Sequence, residues 1–424
     1  MKIAIIGTGI AGNVAAYHLN KSHDITVFEQ NSYIGGHTHT HNVNHDDSNY
    51  SIDSGFIVFN NKTYPLFTEL LNELNVEMQP SHMSFSVKCE NTDLEYNGTT
   101  LNSMFAQRSN LFRPSFYKMI QDILRFNKES VELLETGQAE IPLGQFLTKH
   151  GYRNDFIHNY LIPMGAAVWS ADPLQMHDFP AGFFIRFFHN HGMLSVDDRP
   201  TWYVIKGGSK EYVEKLTSSF KNKIYLDSPV SDITRETETV NINLENGQNY
   251  TFDKVFIATH SDQALKLLGD STQLENDVLS AIPYQKNQAI LHTDKSVLPK
   301  RKLAWAAWNY HILKSQQDKV ALTYNMNILQ NIHSKDTFCV TLNNEDAIDS
   351  TKIIKKVNYS HPIFTPDGIL AQQQQSQING INNTYFCGAY WRYGFHEDGV
   401  WSAMQALMHF EETANEKLLI RRAS

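Results

Sequence analysis

The sequence predicts an α/β fold: one parallel sheet assembled from three separate stretches of chain and interrupted by an α+β insertion. Three observations predict it. At the N-terminus a strand, a GxGxxG turn, a helix and a second strand follow one another. Strand patterns of the same kind resume between residues 203 and 275. Near residue 385 a last strand ends on glycine and runs into a long helix.

The first strand is Lys2-Ile3-Ala4-Ile5-Ile6, and it enters Gly7-Thr8-Gly9-Ile10-Ala11-Gly12 directly. A helical pattern follows through Val14–Leu19, and a second strand, Ile25–Phe28, ends on Glu29. Gly7 allows the tight turn, Gly9 lets backbone approach a pyrophosphate, and Gly12 lets the helix pack on the strand. The N–H groups at the helix start, around Ile10 and Ala11, favour an anion. Glu29 is placed to accept from ribose hydroxyls. Together these predict a Rossmann-type dinucleotide site.

Six residues after Glu29 stands the pair Gly35-Gly36. An acidic strand end followed by a glycine pair resembles the extended fingerprint of FAD-binding flavoproteins of the glutathione-reductase type, so FAD is the expected cofactor. No second GxGxxG unit and no CxxC is present, which argues against a pyridine-nucleotide disulfide reductase.

His37, His39 and His41 alternate after the pair, followed by His45-Asp46-Asp47. Imidazoles on one side of an extended segment could bind a metal, could place His37 beside the cofactor, or could be satisfied locally. No metal is assigned. Asp53-Ser54-Gly55-Phe56, Tyr64-Pro65 and an amphipathic stretch from Phe67 to Leu74 come next. Their order resembles the amine-oxidase and phytoene-desaturase branch of flavoproteins.

Residues 65 to 200 read as largely helical, with strands near Met83–Tyr96 and helical spacing over 112–134 and 145–167. The run Phe179–Phe188 reads either as a buried helix or as the wall of a tunnel for a long apolar substrate. Gly207-Gly208-Ser209 then opens a helix, and strands follow at Ile224–Leu226, from Val230, about a turn at Glu245-Asn246-Gly247, and at Phe252–Thr259. Residues 280–365 read as a sheet with a helix, carrying Trp305 and Trp308. Near the end, Thr384–Cys387 runs into Gly388, and Gly394-Phe395-His396-Glu397-Asp398-Gly399-Val400 leads into the last helix, predicted to start near Gly399 with its N–H groups free.

This division gives a discontinuous FAD-binding domain, 1–64, 203–275 and 366–424, and a substrate-binding domain, 65–202 and 276–365. The strings Gly35–Thr40, Ala258–Leu265, Leu291–Asp294, Ala307–Tyr310 and Gly394–Gly399 resemble a bacterial family of amine-oxidase-like FAD oxidoreductases over essentially the whole chain. One departure is Asn325-Met326-Asn327, where the family usually has a Trp or similar residue before Met-Asn; it bears on local packing.

The resemblance implies cofactor contacts at Gly7, Gly9, Ile10, Ala11, Gly12, Glu29, Gly35, Gly36, His37, Val230, Gly388, Gly399 and Val400. His37, His396 and Glu397 are the candidate acid/base groups. Phe56, Tyr390, Trp391 and Tyr393 are the candidate substrate contacts. Members of the family are often encoded beside cyclopropane-fatty-acid-synthase-like methyltransferases, which implies a small-molecule or lipid acyl substrate and a functional link to such an enzyme. The expected activity is oxidation, as desaturation, of an apolar chain by hydride transfer to flavin N5. An amine oxidase, a redox-neutral double-bond isomerase and a non-catalytic flavin-binding partner are the alternatives.

Composition narrows the setting. The 36 Lys+Arg against 45 Asp+Glu give a net charge of −9, which argues against nucleic acid. Cys89, Cys339 and Cys387 lie far apart, as in a reducing compartment. No signal peptide and no apolar run of the roughly 18 residues of a membrane helix is read. A cytoplasmic protein is expected, with peripheral contact at the inner membrane, for which the basic run Lys417–Arg422 is one candidate. The aromatic share of 12% allows either an ordinary core or an aromatic pocket.

Overall fold

The computed structural model describes residues 1–136, 141–195, 199–315 and 319–423. Its central sheet has five parallel strands in the order Ile224–Tyr225, Asp24–Phe28, Lys2–Ile6, Lys254–Ile257, Thr384–Phe386. Neighbours in this sheet come from opposite ends of the sequence: Ile3 sits opposite Lys254, and Val255 opposite Thr384.

Alternation along the first strand explains the layers. Ile3 and Ile5 face the helices Ile10–Leu19, Lys210–Thr217 and His396–Ala423, where they pack with Val14, Tyr212, Leu216 and Ala403. Ala4 and Ile6 point the other way, onto a three-stranded antiparallel sheet, Val230–Arg235, Val240–Leu244 and Asn249–Phe252. Both faces are therefore buried, which is why the strand reads as a continuous apolar run.

The second layer system is a seven-stranded sheet in the order Ile353–Pro362, Tyr284–His292, Cys339–Leu342, Leu322–Asn325, Trp308–Ile312, Phe85–Cys89, Leu94–Asn97. Its pairs are antiparallel except Trp308–Ile312 with Phe85–Cys89. Helices Pro114–Thr136, Leu143–Lys149, Ile162–Trp169 and Ala181–Asn190 pack with this sheet in one apolar core.

Two expectations change in detail. The helical spacing over 145–167 is not one helix. It breaks at Gly151, whose φ of +64° suits glycine, and resumes through Asn154–Phe156, a π turn at Ile157–Leu161 and Ile162–Trp169. The last helix starts at His396, three residues before the predicted Gly399. At the departure from the family pattern, Asn325 accepts from the Ile328 N–H and Met326 is fully buried. Among the described residues no helix is long and apolar enough to cross a membrane. The side chains of the Lys417–Arg422 run lie outside the described residues.

Candidate active site

A cavity of about 1460 Å³ is lined by residues of both the parallel and the seven-stranded sheet. That exceeds the roughly 300–1,000 Å³ of ordinary ligand pockets and leaves room for a large cofactor together with a substrate.

At one end Gly7, Gly9, Ile10 and Ala11 line it, with Glu29, Gly35, Gly36, Val230 and Gly388. The Ile10–Leu19 helix has no side-chain cap, so its first N–H groups are free for an anion. A Cβ on Gly9 would meet nothing within 4 Å, because that side is cavity. Gly12 differs: it does not line the cavity, and a Cβ there would sit 2.0 Å from the Gly7 carbonyl oxygen. Its smallness serves helix–strand packing. Glu29 is buried, and its carboxylate accepts from the Thr8 N–H (2.9 Å), the Thr8 hydroxyl (2.6 Å) and the Asn31 backbone and side-chain N–H groups (2.8 Å each). It thus holds the glycine turn while facing the cavity. An uncapped helix start, an open glycine and a buried acidic strand end fit the pyrophosphate and ribose of FAD.

At the junction of the two sheets lie the histidines. The His37 Nε2–H donates to the Ser360 carbonyl at 3.1 Å, and its ring stacks on Tyr359 at 4.9 Å. Burial, then the neighbouring His260, pushes its pKa down to about 4, so the imidazole is neutral and Nδ1 carries the lone pair. His361, 5.3 Å from His37, is pushed down to about 3 by burial and by His37. The alternating rings diverge: His37 faces the cavity, while His39 stacks on Tyr33 at 4.0 Å and lies 4.2 Å from His41. His45 pairs with Asp336 at 2.8 Å near Asp46, away from this set.

His396 lines the cavity and stacks on Phe56 at 3.5 Å. Its Nε2 meets the Thr38 hydroxyl at 2.9 Å and the Tyr212 hydroxyl at 3.0 Å, and these hydroxyls are 2.5 Å apart. Burial, then His37, holds it well below its ordinary pKa. Thr38 and Tyr212 were not singled out from sequence. Thr38 lies inside the quoted Gly35–Thr40 string, whereas nothing about Tyr212 marked it beyond an apolar helix face.

Besides Gly12, four predicted site residues fall elsewhere. Glu397 does not line the cavity: its two carboxylate oxygens accept from the Leu66 and Phe67 N–H groups at 3.1 and 2.9 Å. It caps the Pro65–Glu73 helix, which has no cap of its own. Gly399 and Val400 are buried against the Ile10–Leu19 helix, and a Cβ on Gly399 would meet Ile10 Cγ2 at 2.5 Å. Because the helix starts at His396, both sit within its first turns instead of at its exposed end. Trp391 is buried in the core under the parallel sheet and does not line the cavity. Tyr390 shares that core and reaches the cavity, and Tyr393 lines it, packed on Phe183 at 4.5 Å.

The far end is rich in aromatic rings: Phe85, Tyr96, Trp169, Trp305, Trp308 and Tyr324 line it, with Asn97, Ser103 and Ser170 among them. In the Phe179–Phe188 run, Phe184 and Phe188 are buried in the core, and Phe187 alone of these phenylalanines lines the cavity. Among the described residues the only carboxylates on the lining are Glu29 and Glu245, and Glu245 N–H bonds Pro229 next to Val230, at the nucleotide end.

A parallel sheet whose glycine turn opens into a cavity walled by neutral histidines and aromatics defines a flavin-dependent oxidoreductase. The chain belongs to the flavin containing amine oxidoreductase family, whose sequence pattern matches residues 10–305; it is an enzyme, and FAD is its cofactor. Its fold is similar to that of a CLA-producing fatty acid isomerase from P. acnes (16% identity, TM-score 0.70, 96% of this chain and 98% of that one). It is similar likewise to cyclohexylamine oxidase from Brevibacterium oxydans IH-35A (14% identity, TM-score 0.69, 97% and 99%). Putrescine oxidase bound to putrescine is a third such structure (13% identity, TM-score 0.66, 98% and 99%). No curated protein matches the sequence.

Proposed function

We propose that the enzyme acts on an apolar hydrocarbon chain, such as the fatty acyl chain of a lipid, and desaturates it. The observation that carries this reading is the part of the cavity walled by Trp169, Trp305 and Trp308, which is aromatic and without a carboxylate. A charged ammonium there would be desolvated with no anionic partner, which is costly. An acyl chain instead gains roughly 25 cal/mol for each Å² of apolar surface removed from water.

FAD, when bound, supplies the acceptor for a hydride from one carbon. The residues do the remainder. Gly9, the Ile10–Leu19 helix start and Glu29 hold the nucleotide end. Trp169, Trp305 and Trp308 shape the channel and exclude water. His37, fixed by Ser360 and Tyr359, presents Nδ1 as the acceptor for the proton from the adjacent carbon. His396 is held by Thr38 and Tyr212 with its ring against Phe56, a further polar group on the wall.

Return of the hydride to the same chain would shift a double bond with no net oxidation. The fold's likeness to a fatty acid isomerase favours keeping this second reading. A methylated acyl chain from a cyclopropane-fatty-acid-synthase-like methyltransferase would be a substrate of the proposed class, in a cytoplasmic setting.

The test is anaerobic mixing of the yellow holoenzyme with a panel of fatty acids, phospholipids and simple amines. Desaturation predicts flavin bleaching by acyl substrates, with an added double bond in the product. Isomerisation predicts a moved double bond without lasting bleaching. Bleaching by amines and by no acyl compound would overturn both.

A further inference from the structure

We propose that the cavity rim formed by residues 97–118 and 300–303 docks on an anionic lipid bilayer, so that an acyl chain enters from the membrane. This rests on the acyl-chain reading above.

The first observation is apolar exposure. Leu101 is 80% and Phe112 87% exposed, and Leu111, Tyr117 and Leu303 are exposed beside them. These belong to one surface. The Leu101–Met104 helix packs on the Lys302–Ala304 turn, the Tyr117 hydroxyl donates to the Leu111 carbonyl, and Phe105 lies 5.8 Å from the Tyr117 ring. Contiguous apolar exposure of this kind marks an interaction site.

The second observation is continuity with the cavity. Thr99, Thr100, Lys302 and Leu303 are exposed and also line it. The patch therefore borders the channel where the channel reaches the surface.

The third is charge. Residues 96–121 hold Arg108, Arg113 and Lys118 and no Asp or Glu, and residues 295–317 hold Lys295, Lys300, Arg301, Lys302 and Lys314 and again no acid, in a chain of net charge −9. Lys300 and Arg301 pair with Asp93 and Glu95. Among the described residues Arg108, Arg113, Lys118 and Lys302 make no salt bridge; Arg108 donates to Asn102 and the Phe105 carbonyl. Exposed leucine and aromatic side chains beside cations that make no salt bridge match the acyl–headgroup boundary of an anionic leaflet. A chain drawn through that mouth would pass from one apolar phase to another without crossing water.

The experiment is flotation of the holoenzyme with vesicles of phosphatidylcholine alone or mixed with phosphatidylglycerol. Binding is expected to the mixed vesicles, weakened by salt. Leu101→Ser with Phe112→Ser should abolish most of it. Arg108→Glu with Lys118→Glu should lower it by at least roughly fivefold per cation. Flavin content and thermal midpoint, unchanged in both pairs, report intact folding. No flotation with phosphatidylglycerol, or flotation that both pairs leave unchanged, would overturn the proposal. So would substitutions that alter only self-association in gel filtration. The readout involves no turnover, so it separates the two ideas. A protein that floats yet is bleached by no acyl chain keeps the surface and loses the substrate. One bleached by detergent-solubilised fatty acid that never floats does the reverse.

Discussion

Two glycines of one motif carry different loads, and substitutions should separate them. Gly9 faces open cavity and has an ordinary φ of −63°. Gly9→Leu should fold, with a thermal midpoint near that of wild-type apoprotein, but should lose most of its FAD, because the new side chain occupies the path of the pyrophosphate. Gly12→Leu should fail to give folded protein, since its Cβ alone would lie 2.0 Å from a backbone oxygen. Flavin absorbance and circular dichroism of the two variants check this; equal flavin content in Gly9→Leu would contradict the placement of the cofactor. His37 was legible because it follows a glycine pair. Its neutral state was not, because it comes first from burial by the folded chain and then from His260, more than 200 residues away in sequence.

At the scale of elements, the Pro65–Glu73 helix borrows its N-terminal acceptor from the last helix of the chain. Glu397 bonds two N–H groups there and is itself buried. Glu397→Ala should destabilise the enzyme by about 1–2 kcal/mol, the usual cost of a lost cap or a buried N–H left unpaired. It should leave flavin content intact and kcat within about twofold, as expected of a group that does not touch the reacting atoms. Denaturant unfolding and steady-state rates distinguish this from an acid/base role, which would instead lower kcat by about 100-fold or more at unchanged stability. Glu397 reads as catalytic in sequence because it follows His396 in the cofactor segment. Only the approach of the Pro65–Glu73 helix gave Glu397 another partner.

At the scale of the whole molecule, burial of imidazoles sets the response to acid. Folded His37, His191, His260 and His292 are pushed down to about 4, and His361 to about 3, in each case first by burial. Unfolded, each takes a proton near pH ~6.5. Between these values the unfolded chain binds more protons, so stability rises with pH. Asp53 and Asp398 act in the opposite sense. Their folded pKa values are pushed up to about 6 and about 7 by burial, so they favour the native state on the acid side. Five imidazoles outweigh two carboxyls, and Tm should fall steadily as pH drops from about 6.5 to about 4. A Tm that rises toward acid would contradict the buried, neutral histidine cluster.

The sequence by itself determined the nucleotide half. The turn at Gly7–Gly12, the acid at Glu29 and the glycine pair are local features, and their spacing alone fixes which backbone groups converge. The sequence also supplied the strands at 252–259 and 384–387, since two-sided burial writes itself as unbroken apolar runs. The tertiary structure decided the rest. Val400 and Trp391 read as site residues and are core; Glu397 reads as an acid/base group and is a cap; Thr38 and Tyr212, unmarked in sequence, close around His396. The physical reason is that a side chain's role depends on what the fold brings against it. In this chain those neighbours arrive from segments hundreds of residues apart, joined only when the parallel sheet forms.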